Sequence, residues 1–443
     1  MDNIENFGVY ISTYGCQMNV NDTERMYSLL EMMNYSEVKE PKEADLIIIN
    51  SCSVREKPVH KVHSEVGRYK KLKEHNPKLR IGVSGCVAQQ EKAKLLADIP
   101  LLDFVVGTDN IDSLPQIVRD LNSNISKAPK INVTDFKHRD AYHIETLVRN
   151  PGVSTFINIT KGCDNFCSFC VVPFTRGRER SRPLKMLLQD ISVLTKRGVK
   201  ETTLLGQNVN SYESDCGANF ATLLERVCLE TDLQRVRYTT SHPKDFNQEL
   251  VDVMQRHSKK LGAYVHLPAQ SGSTEILKNM NRGYTREEYL EKISMIRKAL
   301  PDVSFSTDLI IGFPGETEEQ FQETVSLLGE VGYETIFAFK YSPRPFTKAA
   351  RFENQVDEEV KTRRLNELFK RHKEIAEKIA ERYMGRVLEV LVEEHDCQSN
   401  TVSGRSLHNK LVHFNGSKDL VGQLVNVIIT EAFPHNLRGE LIQ

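Results

Sequence analysis

Three cysteines in one short segment have the types and spacing that most directly suggest chemistry. Cys163, Cys167 and Cys170 lie in KGCDNFCSFC, with three and then two residues between them. Cysteine thiolates are the ligands that hold iron–sulfur clusters. Three of them leave one iron of a four-iron cluster without a protein ligand, and an open position is typical of catalytic metal sites. A zinc site is the alternative, although the neighbouring sequence offers no fourth cysteine or histidine.

Three further cysteines each follow a separate predicted strand. Cys16 ends the run GVYISTYGC, Cys52 ends ADLIIINSC and Cys86 ends RIGVSGC. Continuous apolar runs separated by amphipathic helices predict a buried parallel sheet with helices on both faces. Since parallel strands end at one edge, where open α/β sheets bind ligands, we expect these cysteines to converge. Three buried structural thiols are the alternative interpretation.

A second set of alternating strands and helices follows residue 152. Six β/α units predict a parallel barrel that is incomplete, since a full barrel has eight. Polar residues and glycines cluster where its strands end, which is the edge where barrel enzymes carry their sites. The predicted strands are 155–160, 201–206, 235–240, 263–268, 303–311 and 335–340.

These patterns predict an α/β protein with three domains. Residues 5–125 form a Rossmann-like parallel α/β domain, and a polar linker at 126–152 leads to the partial (β/α)6 TIM-like barrel at 153–375. A long charged amphipathic helix covers 357–382. Beyond it, short alternating strands with turn signals predict a small all-β barrel at 376–443.

Composition and charge exclude several classes of protein. The chain has 59 Lys and Arg against 60 Asp and Glu, a net charge of −1, which excludes a globally basic nucleic-acid binder but not local basic patches. No apolar run is long enough to span a bilayer, and the N-terminus lacks a signal-peptide pattern, so we expect a cytoplasmic protein without a membrane partner. Nine cysteines, an odd number, argue against a disulfide framework.

Taken together, the motifs resemble the radical S-adenosylmethionine (SAM) methylthiotransferases over nearly the whole chain. Within that family, TYGCQMN and TRGRERSRP favour the MiaB branch, which modifies tRNA, and the C-terminal module is similar to the RNA-binding TRAM domain. Phe346 and Lys348 depart from the pattern, since the family more often has glycine and proline there. The other matching segments are NSCSVREK, GCDNFCSFCVVPF, LLGQNVNSY, TTSHP, LPAQSGS, MNRGYTREEY, GFPGE and YSPRP.

The resemblance implies two [4Fe–4S] clusters. Cys163, Cys167 and Cys170 match the ligands of the cluster that reductively cleaves SAM to methionine and the 5′-deoxyadenosyl radical. Cys16, Cys52 and Cys86 match the ligands of an auxiliary cluster, a sulfur of which is methylated by a first SAM. A second SAM supplies the radical that removes hydrogen from ring position 2 of an adenine, to which methylthio is then delivered. The cofactors carry the difficult chemistry, and the protein orients them.

The same resemblance implies the substrate and the partners. The substrate is isopentenyl-modified adenosine at position 37, in the anticodon stem-loop of tRNA. An electron donor such as flavodoxin or ferredoxin is expected, and the enzyme is expected to be a monomer. SAM is polar and zwitterionic, so its site should use strand-end polar groups and glycine backbone. The candidates, for which turn or loop-capping roles are the alternative, are Gly206, Gln207, Ser241, Gln270, Ser271, Asp308 and Gly312.

Two groups of residues are candidates for contact with RNA. Arginines at alternate positions after the cysteine loop would share one side of an extended chain and could contact phosphate, or could instead form a solvated charged run. In the C-terminal module, charged residues mixed with an aromatic ring suit looped RNA. The arginines are Arg176, Arg178, Arg180 and Arg182, and the C-terminal candidates are Arg405, Lys410, His413 and Phe414.

Two other functions stay open from the sequence. One keeps the reaction but changes the substrate to threonylcarbamoyl-adenosine in tRNA or to an aspartate of a ribosomal protein. The other is a non-catalytic iron–sulfur protein that binds RNA. Three-cysteine sites argue against the second, because structural clusters normally have four cysteine ligands.

Overall fold

The structure is a computed structural model that describes residues 6–53, 58–123, 130–136 and 148–442. The chain forms two compact units. The first comprises Met1–Asn150 with the short segments Lys161–Asp164 and Cys170–Arg180, and the second comprises Pro151–Thr160, Asn165–Phe169 and Ser181–Gln443. The predicted linker at 126–152 lies partly outside the described residues, at 126–129 and 137–147.

The first unit contains a six-stranded parallel sheet in the order β2-β1-β3-β4-β5-β6. All residues of its two central strands, Leu46–Ser51 and Arg80–Gly85, are buried, as expected of a sheet covered on both faces. The strand order reverses between β1 and β3, and such a switch point opens a crevice at the carboxyl ends of the strands. The strands are β1 Phe7–Tyr14, β2 Tyr35–Glu37, β3 Leu46–Ser51, β4 Arg80–Gly85, β5 Phe104–Val106 and β6 Ile131–Val133.

Helices cover both faces of this sheet. Ile47 and Ile49 pack into the core on one face, whereas Leu46 and Ile48 pack into the core on the other, as the alternation of side chains along a strand requires. The helices are α1 Gln17–Glu31, α2 Pro58–Arg68, α3 Lys70–His75, α4 Cys86–Glu91, α5 Ala93–Asp98 and α6 Leu114–Ser123.

The two three-residue edge strands of this sheet were not predicted. Residues 131–133, assigned to the linker by the sequence analysis, form β6 and pair with β5. Tyr35–Glu37 forms β2 beside β1. Both segments are too short to show a periodicity of their own, and their strand conformation follows from backbone hydrogen bonds to a neighbour that is remote in sequence.

The second unit begins with the partial barrel. Its six parallel strands occur at the predicted positions and pair as two sheets of three, β11-β10-β7 and β12-β13-β14, which confirms the predicted (β/α)6 arrangement. The strands from this part of the chain are β7 Ser154–Asn158, β8 Thr160–Lys161, β9 Arg180–Ser181, β10 Glu201–Leu205, β11 Arg235–Tyr238, β12 Tyr264–His266, β13 Ser304–Ile311 and β14 Thr335–Lys340.

The helices between these strands begin with sequence-encoded caps. Thr285 and Glu288 form a capping box at the start of α13, and Thr317 and Gln320 form one at the start of α14. The last helix continues to Glu381, so the predicted boundary at 375/376 falls inside it. The helices are α7 Val172–Thr175, α8 Leu184–Lys196, α9 Phe220–Glu230, α10 Gln248–Arg256, α11 Ser258–Leu261, α12 Thr274–Asn279, α13 Arg286–Ala299, α14 Glu318–Val331 and α15 Glu358–Glu381.

A closed five-stranded barrel completes the chain, as predicted. The strands follow the order β15-β16-β17-β19-β18 around a core that includes Val390, Val402, Val412 and Leu437. They are β15 Val387–Asp396, β16 Thr401–Ser406, β17 Leu411–Asn415, β18 Leu424–Ala432 and β19 Asn436–Leu441. None of the helices within the described residues has the length and apolar character that a membrane span requires.

The C-terminal barrel packs against the amino ends of the strands of the partial barrel. Lys410 lies 2.9 Å from Glu334, directly before β14, and Arg237 of β11 donates to the carbonyl of Ser406 at 2.8 Å. The amide of Ala263, directly before β12, donates to the carbonyl of Leu407. These contacts cover one end of the partial barrel. A ligand site is therefore expected at the other end, where the strands finish.

Candidate active site

The thiols of Cys16, Cys52 and Cys86, named here the N-terminal triad, meet at the carboxyl edge of the first unit's sheet. Cys16 follows β1 and precedes α1, Cys52 directly follows β3, and Cys86 follows β4 and opens α4. The Cys52 side chain hydrogen-bonds to those of both other cysteines. The switch point between β1 and β3 thus brings together residues that are 36 and 34 positions apart, from 52 − 16 and 86 − 52.

Glycines and asparagines allow this close approach. A Cβ on Gly15, where φ is +151°, would lie 2.6 Å from the Cβ of Cys52. A Cβ on Gly85, where φ is +88°, would lie 2.5 Å from the side-chain oxygen of Asn50. Asn50 in turn holds the start of α1, since its Nδ2 donates to the carbonyl of Asn19 at 2.8 Å. Larger residues before the two cysteines would therefore push the triad apart.

The surroundings favour thiolates at Cys16 and Cys86, whereas the hydrogen bonds to these two thiols, followed by burial, raise the pKa of Cys52. Arg176 is buried and lies 2.8 Å from Asp22. Its positive charge also interacts with Cys16 and Cys86. The hydrogen bond with Cys52, followed by the charge of Arg176, lowers the pKa of Cys16 to about 5. The same two influences lower the pKa of Cys86 to about 6. Thiolate is the form of cysteine that binds metals, so these surroundings favour metal ligation by Cys16 and Cys86.

The three thiols of the triad are a donor set that fits an iron–sulfur cluster. Within the described ranges, no three His, Cys, Asp or Glu side chains are arranged to hold one metal ion. An iron–sulfur cluster does not need such an arrangement, because its cysteine ligands are distributed over several irons. Three buried or half-buried thiols are the donor chemistry that such a cluster uses.

The second group of cysteines lies on the loop from 163 to 170, named here the cysteine loop. At its start, in the first unit, the ammonium of Lys161 donates to Asp109 at 2.7 Å and to the carbonyl of Thr108 at 2.9 Å. Arg180 contacts the same Asp109 oxygen at 2.8 Å. The amide of Cys163 donates to the carbonyl of Gly177 at 3.2 Å. Buried ion pairs therefore fix the point where the loop begins.

The middle of the cysteine loop is held separately, within the second unit. The amide of Ser168 donates to the carbonyl of Met280 at 2.9 Å, and its hydroxyl donates to the carbonyl of Asn279 at 2.8 Å. The Asn281 side chain donates to the carbonyls of Asn165 and Phe166. The end of α12 and the turn after it thus fix the backbone of the loop around Cys167 through hydrogen bonds.

The candidate SAM residues lie at or near the carboxyl ends of barrel strands. Gly206 directly follows β10, where a Cβ would lie 2.1 Å from the Thr160 hydroxyl, and Gly312 directly follows β13 with φ of +71°. Asp308 lies within β13 rather than after it, 3.6 Å from His266. The remaining candidates follow their strands by two to five residues and are Gln207, Ser241, Gln270 and Ser271.

Several buried polar atoms at this edge lack a hydrogen-bond partner among the described residues, and two of them belong to neighbouring residues after β11. These two are the hydroxyl of Ser241 and Nε2 of His242. Because a buried polar group without a partner is costly, both atoms fit a site built for a polar ligand. His242 lies in the motif TTSHP but was not among the predicted SAM-binding residues. Burial, followed by the charges of Arg282 and Lys244, lowers the pKa of His242 to about 2, so its imidazole is neutral.

The row of arginines after the cysteine loop does not form an RNA-facing edge, which corrects the sequence-based expectation. Each arginine faces a different aspartate, and the chain turns at Gly177, where φ is +82°. Arg176 and Arg182 are buried, and Arg180 is largely buried. Only Arg178 is well exposed, and it lies 3.0 Å from Asp164. The other pairs are Arg176 with Asp22, Arg180 with Asp109 and Arg182 with Asp190.

The C-terminal candidates also divide by burial. Phe414 lies in the barrel core and Lys410 is buried against Glu334, so neither is placed to contact RNA. His413 and Arg405 are half-buried on the outer surface. Phe433 was not among the predicted RNA contacts, but its ring is exposed and lies against Arg438. Arg438 pairs in register with His413, which places both residues on the same outer face.

Three families match successive parts of the chain. Residues 8–107 match the family described as uncharacterized protein family UPF0004, residues 157–328 match the radical SAM superfamily, and residues 381–442 match the TRAM domain. The solved structure of the radical SAM methyltransferase TsrM from Kitasatospora setae, with tryptophan and a SAM analogue bound, is similar in fold. It has a TM-score of 0.57 at 15% identity, over 78% of this chain and 75% of that one.

Full-length relatives share much higher identity. A tRNA-2-methylthio-N(6)-dimethylallyladenosine synthase of Bdellovibrio bacteriovorus is 64% identical over 98% of this chain and 95% of its own. An enzyme of the same name from Carboxydothermus hydrogenoformans is 46% identical over 98% and 99%, respectively. The chain therefore belongs to the radical SAM methylthiotransferases, in the family of the tRNA-2-methylthio-N(6)-dimethylallyladenosine synthases.

Proposed function

We propose that this protein adds a methylthio group to ring position 2 of isopentenyl-modified adenosine at position 37 of tRNA. The observation that carries the proposal is the N-terminal triad, which assembles a second set of three thiols in a chain that already has the cysteine loop. A radical enzyme that only cleaves SAM needs one such set. A second set supplies a place for the sulfur that the reaction consumes. The names of the full-length relatives support the same substrate.

Each set of thiols has its own role in this proposal. Cys163, Cys167 and Cys170 hold the [4Fe–4S] cluster that reacts with SAM, and the N-terminal triad holds an auxiliary cluster. When bound, the first cluster supplies the electron that cleaves SAM, and the second supplies sulfur. Arg176 compensates negative charge beside the triad, and Asp22 holds the guanidinium in place. The Asn19 and Asn50 side chains join α1 to β3 beneath the triad at 3.0 Å.

The carboxyl edge of the partial barrel binds SAM in this proposal. The Ser241 hydroxyl and neutral His242 supply polar contacts, and the backbone of Gly206 and Gly312 lies at the same edge. Gln270, at φ of +69°, holds its backbone in the left-handed region beside Ser271. Such a conformation costs on the order of 1 kcal/mol and is typical of functional sites. Gln207, Ser271 and Asp308 complete the proposed set.

The outer face of the C-terminal barrel contacts the RNA. Phe433 offers an exposed ring on which a base can stack, and Arg438 and His413 lie beside it. Arg178 and Arg405 remain as further candidates because both side chains are partly exposed. The protein acts as a cytoplasmic monomer in this proposal. It receives electrons from a small one-electron carrier of the flavodoxin or ferredoxin type.

Iron and labile sulfide per chain, measured after anaerobic reconstitution, test the proposal. We expect about eight irons in the wild-type protein and about four in a Cys16/Cys52/Cys86→Ala variant that still cleaves SAM. A Cys216/Cys228/Cys397→Ala variant is the matched control and should keep about eight. About four irons in the wild type and in both variants would overturn the two-cluster proposal.

Mass spectrometry of tRNA tests the substrate. A deletion strain should accumulate isopentenyl-adenosine without the methylthio group, and the wild-type gene should restore the modification. The Cys16/Cys52/Cys86→Ala variant should fail to restore it. Normal modification in the deletion strain, or loss of a different modification, would contradict the proposed substrate.

A further inference from the structure

Arg282 is buried in the turn after α12, which contacts the cysteine loop. Its side chain makes three hydrogen bonds, and none of them goes to a carboxylate. Nε donates to the hydroxyl of Tyr284 at 3.1 Å, and one terminal nitrogen donates to the carbonyl of Pro268 at 3.1 Å. The other terminal nitrogen donates to Sγ of Cys167 at 3.4 Å. The guanidinium therefore contacts the sulfur of one cysteine of the cysteine loop, Cys167.

This makes Arg282 different from the other buried arginines of the described residues. A buried charge is costly unless it is paired, and each of the others lies within 4 Å of an aspartate or glutamate. These pairs are Arg80 with Asp103, Arg176 with Asp22, Arg182 with Asp190, Arg235 with Glu389, Arg237 with Glu201 and Arg364 with Glu316. The fold thus provides a carboxylate for every buried arginine in this set except the one beside the cysteine loop.

The backbone fixes the position of this guanidinium. Helix α12 ends at Asn279, and Asn281 turns the chain with φ of +58°, a conformation that asparagine tolerates. The amide of Arg282 donates to the carbonyl of Leu277 at 3.0 Å. The same turn holds Ser168 and the backbone before Cys167, so the donor and the sulfur belong to one rigid arrangement.

We infer that Arg282 is a positioning residue that donates a hydrogen bond to the Cys167 sulfur and raises the reduction potential of the cluster held by the cysteine loop. This inference rests on the proposed function, in which the loop holds the SAM-cleaving cluster. Reduction adds a negative charge to the cluster, and a cation that donates a hydrogen bond to a ligand sulfur stabilises the reduced state. Without Arg282, Cys163 and Cys170 would remain ligands, but the reduction potential of the cluster would be lower.

The test measures the midpoint potential of the cysteine-loop cluster by EPR-monitored redox titration. Titrations in the Cys16/Cys52/Cys86→Ala background isolate this cluster from the auxiliary one. Arg282→Met removes the charge and the donors at similar volume, and Arg282→Lys keeps the charge. Arg235→Met is the matched control, because it removes another buried arginine of the same unit at the opposite end of the barrel strands.

We expect Arg282→Met to lower the equilibrium constant for cluster reduction at least tenfold, which corresponds to about 59 mV for one electron. Arg282→Lys should shift the potential less, and Arg235→Met should leave it unchanged. An unchanged potential and EPR spectrum in Arg282→Met with full iron content would overturn the inference. If Arg282→Met does not retain iron, Arg282→Gln decides, because it removes the charge and keeps polar donors. A potential of Arg282→Gln equal to that of the background protein would then overturn the inference, and a negative shift would support it.

Failure of the inference is distinguishable from failure of the proposed function. A Cys16/Cys52/Cys86→Ala background that binds about four irons and cleaves SAM upholds the assignment of the cysteine loop, whatever Arg282 does. A background that binds no iron removes the assignment itself.

Discussion

At the residue scale, the partner of a side chain decides its role more than its type does. Arg176 and Arg178 are two residues apart, yet Arg176 is buried against Asp22 and Arg178 is exposed beside Asp164. Their alternating spacing suggested one shared role. The structure separates the two because the first arginine reaches a carboxylate on α1 next to the N-terminal triad.

Arg176→Ala should therefore be strongly destabilising. It leaves the carboxylate of Asp22 buried without its partner, which costs about 3–5 kcal/mol. Chemical denaturation of the metal-free protein measures the loss, and Arg178→Ala should cost less than about 1 kcal/mol in the same assay. Equal effects of the two substitutions would show that burial of the pair is not what stabilises Arg176.

Phe346 departs from the family pattern at a position where the backbone explains the usual residue. Its φ is +69°, in the left-handed region that favours glycine, and its ring is exposed. A non-glycine residue pays about 1–2 kcal/mol for this conformation. Phe346→Gly should raise the free energy of unfolding by about 1 kcal/mol after the entropy of glycine is counted. Thermal unfolding checks this, with Phe346→Ala as the control that should gain nothing from the backbone.

His242 should make stability depend on pH. Burial lowers its pKa to about 2 in the folded chain, below the ordinary value of 6.5, so the unfolded chain binds one more proton between these values. The free energy of unfolding therefore keeps its full value, as far as His242 is concerned, above pH 6.5. It decreases progressively as the pH falls below 6.5. Between pH 7.5 and pH 5, His242→Gln should lose about 2 kcal/mol less unfolding free energy than the wild type. Parallel urea titrations of the metal-free proteins would contradict this if both lost the same amount.

At the element scale, strand register separates core residues from surface residues of the C-terminal barrel. Phe414 in β17 points inward, whereas His413 pairs with Arg438 of β19 on the outside. Phe433, in the hairpin between β18 and β19, presents its ring to solvent. A shift of one residue along a strand moves a side chain to the other face, and composition alone does not reveal that register.

Substitution of Phe433 should therefore affect RNA binding, and substitution of Phe414 should affect stability. Phe433→Ala should weaken binding of an anticodon stem-loop RNA by about 1–3 kcal/mol through lost base stacking, with little change in stability. Phe414→Ala should cost about 3–5 kcal/mol of stability by leaving a cavity in the core. Fluorescence anisotropy with labelled RNA and thermal unfolding measure the two effects. Tight RNA binding by Phe433→Ala would remove this hairpin from the RNA interface.

At the scale of the whole second unit, buried ions join the C-terminal barrel to the partial barrel. Glu334 lies 2.9 Å from Lys410 and accepts hydrogen bonds from Ser304, Tyr383 and Arg382. Burial opposes ionisation of this carboxylate, but Lys410 and its other partners hold its pKa below the ordinary value. Lys410 therefore belongs to the junction between the barrels rather than to an RNA surface.

Lys410→Met should destabilise the junction between the barrels without changing how the protein binds RNA. We expect a loss of about 3 kcal/mol in the unfolding of the second unit, because the substitution removes one cation from a buried network. The dependence of RNA affinity on salt should stay the same. Arg438→Gln is the converse control and should lower the salt slope by about one without a comparable loss of stability. A reduced salt slope in Lys410→Met would return this residue to the RNA interface.

The sequence by itself determined the elements and the chemistry they carry. Apolar runs and helical periodicity placed the central strands of the first sheet and all six parallel strands of the partial barrel. Cysteine spacing pointed to iron–sulfur chemistry, because three thiolates on one loop suit few other ligands. The edge strands β2 and β6 escaped prediction, since three residues are too few to show a period.

Only the tertiary structure decided which partners the charged and aromatic side chains take. Arg176, Arg182, Lys410 and Phe414 looked like surface residues, because sequence spacing carries no record of a carboxylate or core that is remote along the chain. Arg282 shows the reverse. Its type and its motif were visible, but its lack of a carboxylate and its contact with Cys167 exist only in the folded chain. Local patterns encode periodicity and ligand type, whereas pairing and burial depend on contacts that folding creates between distant segments.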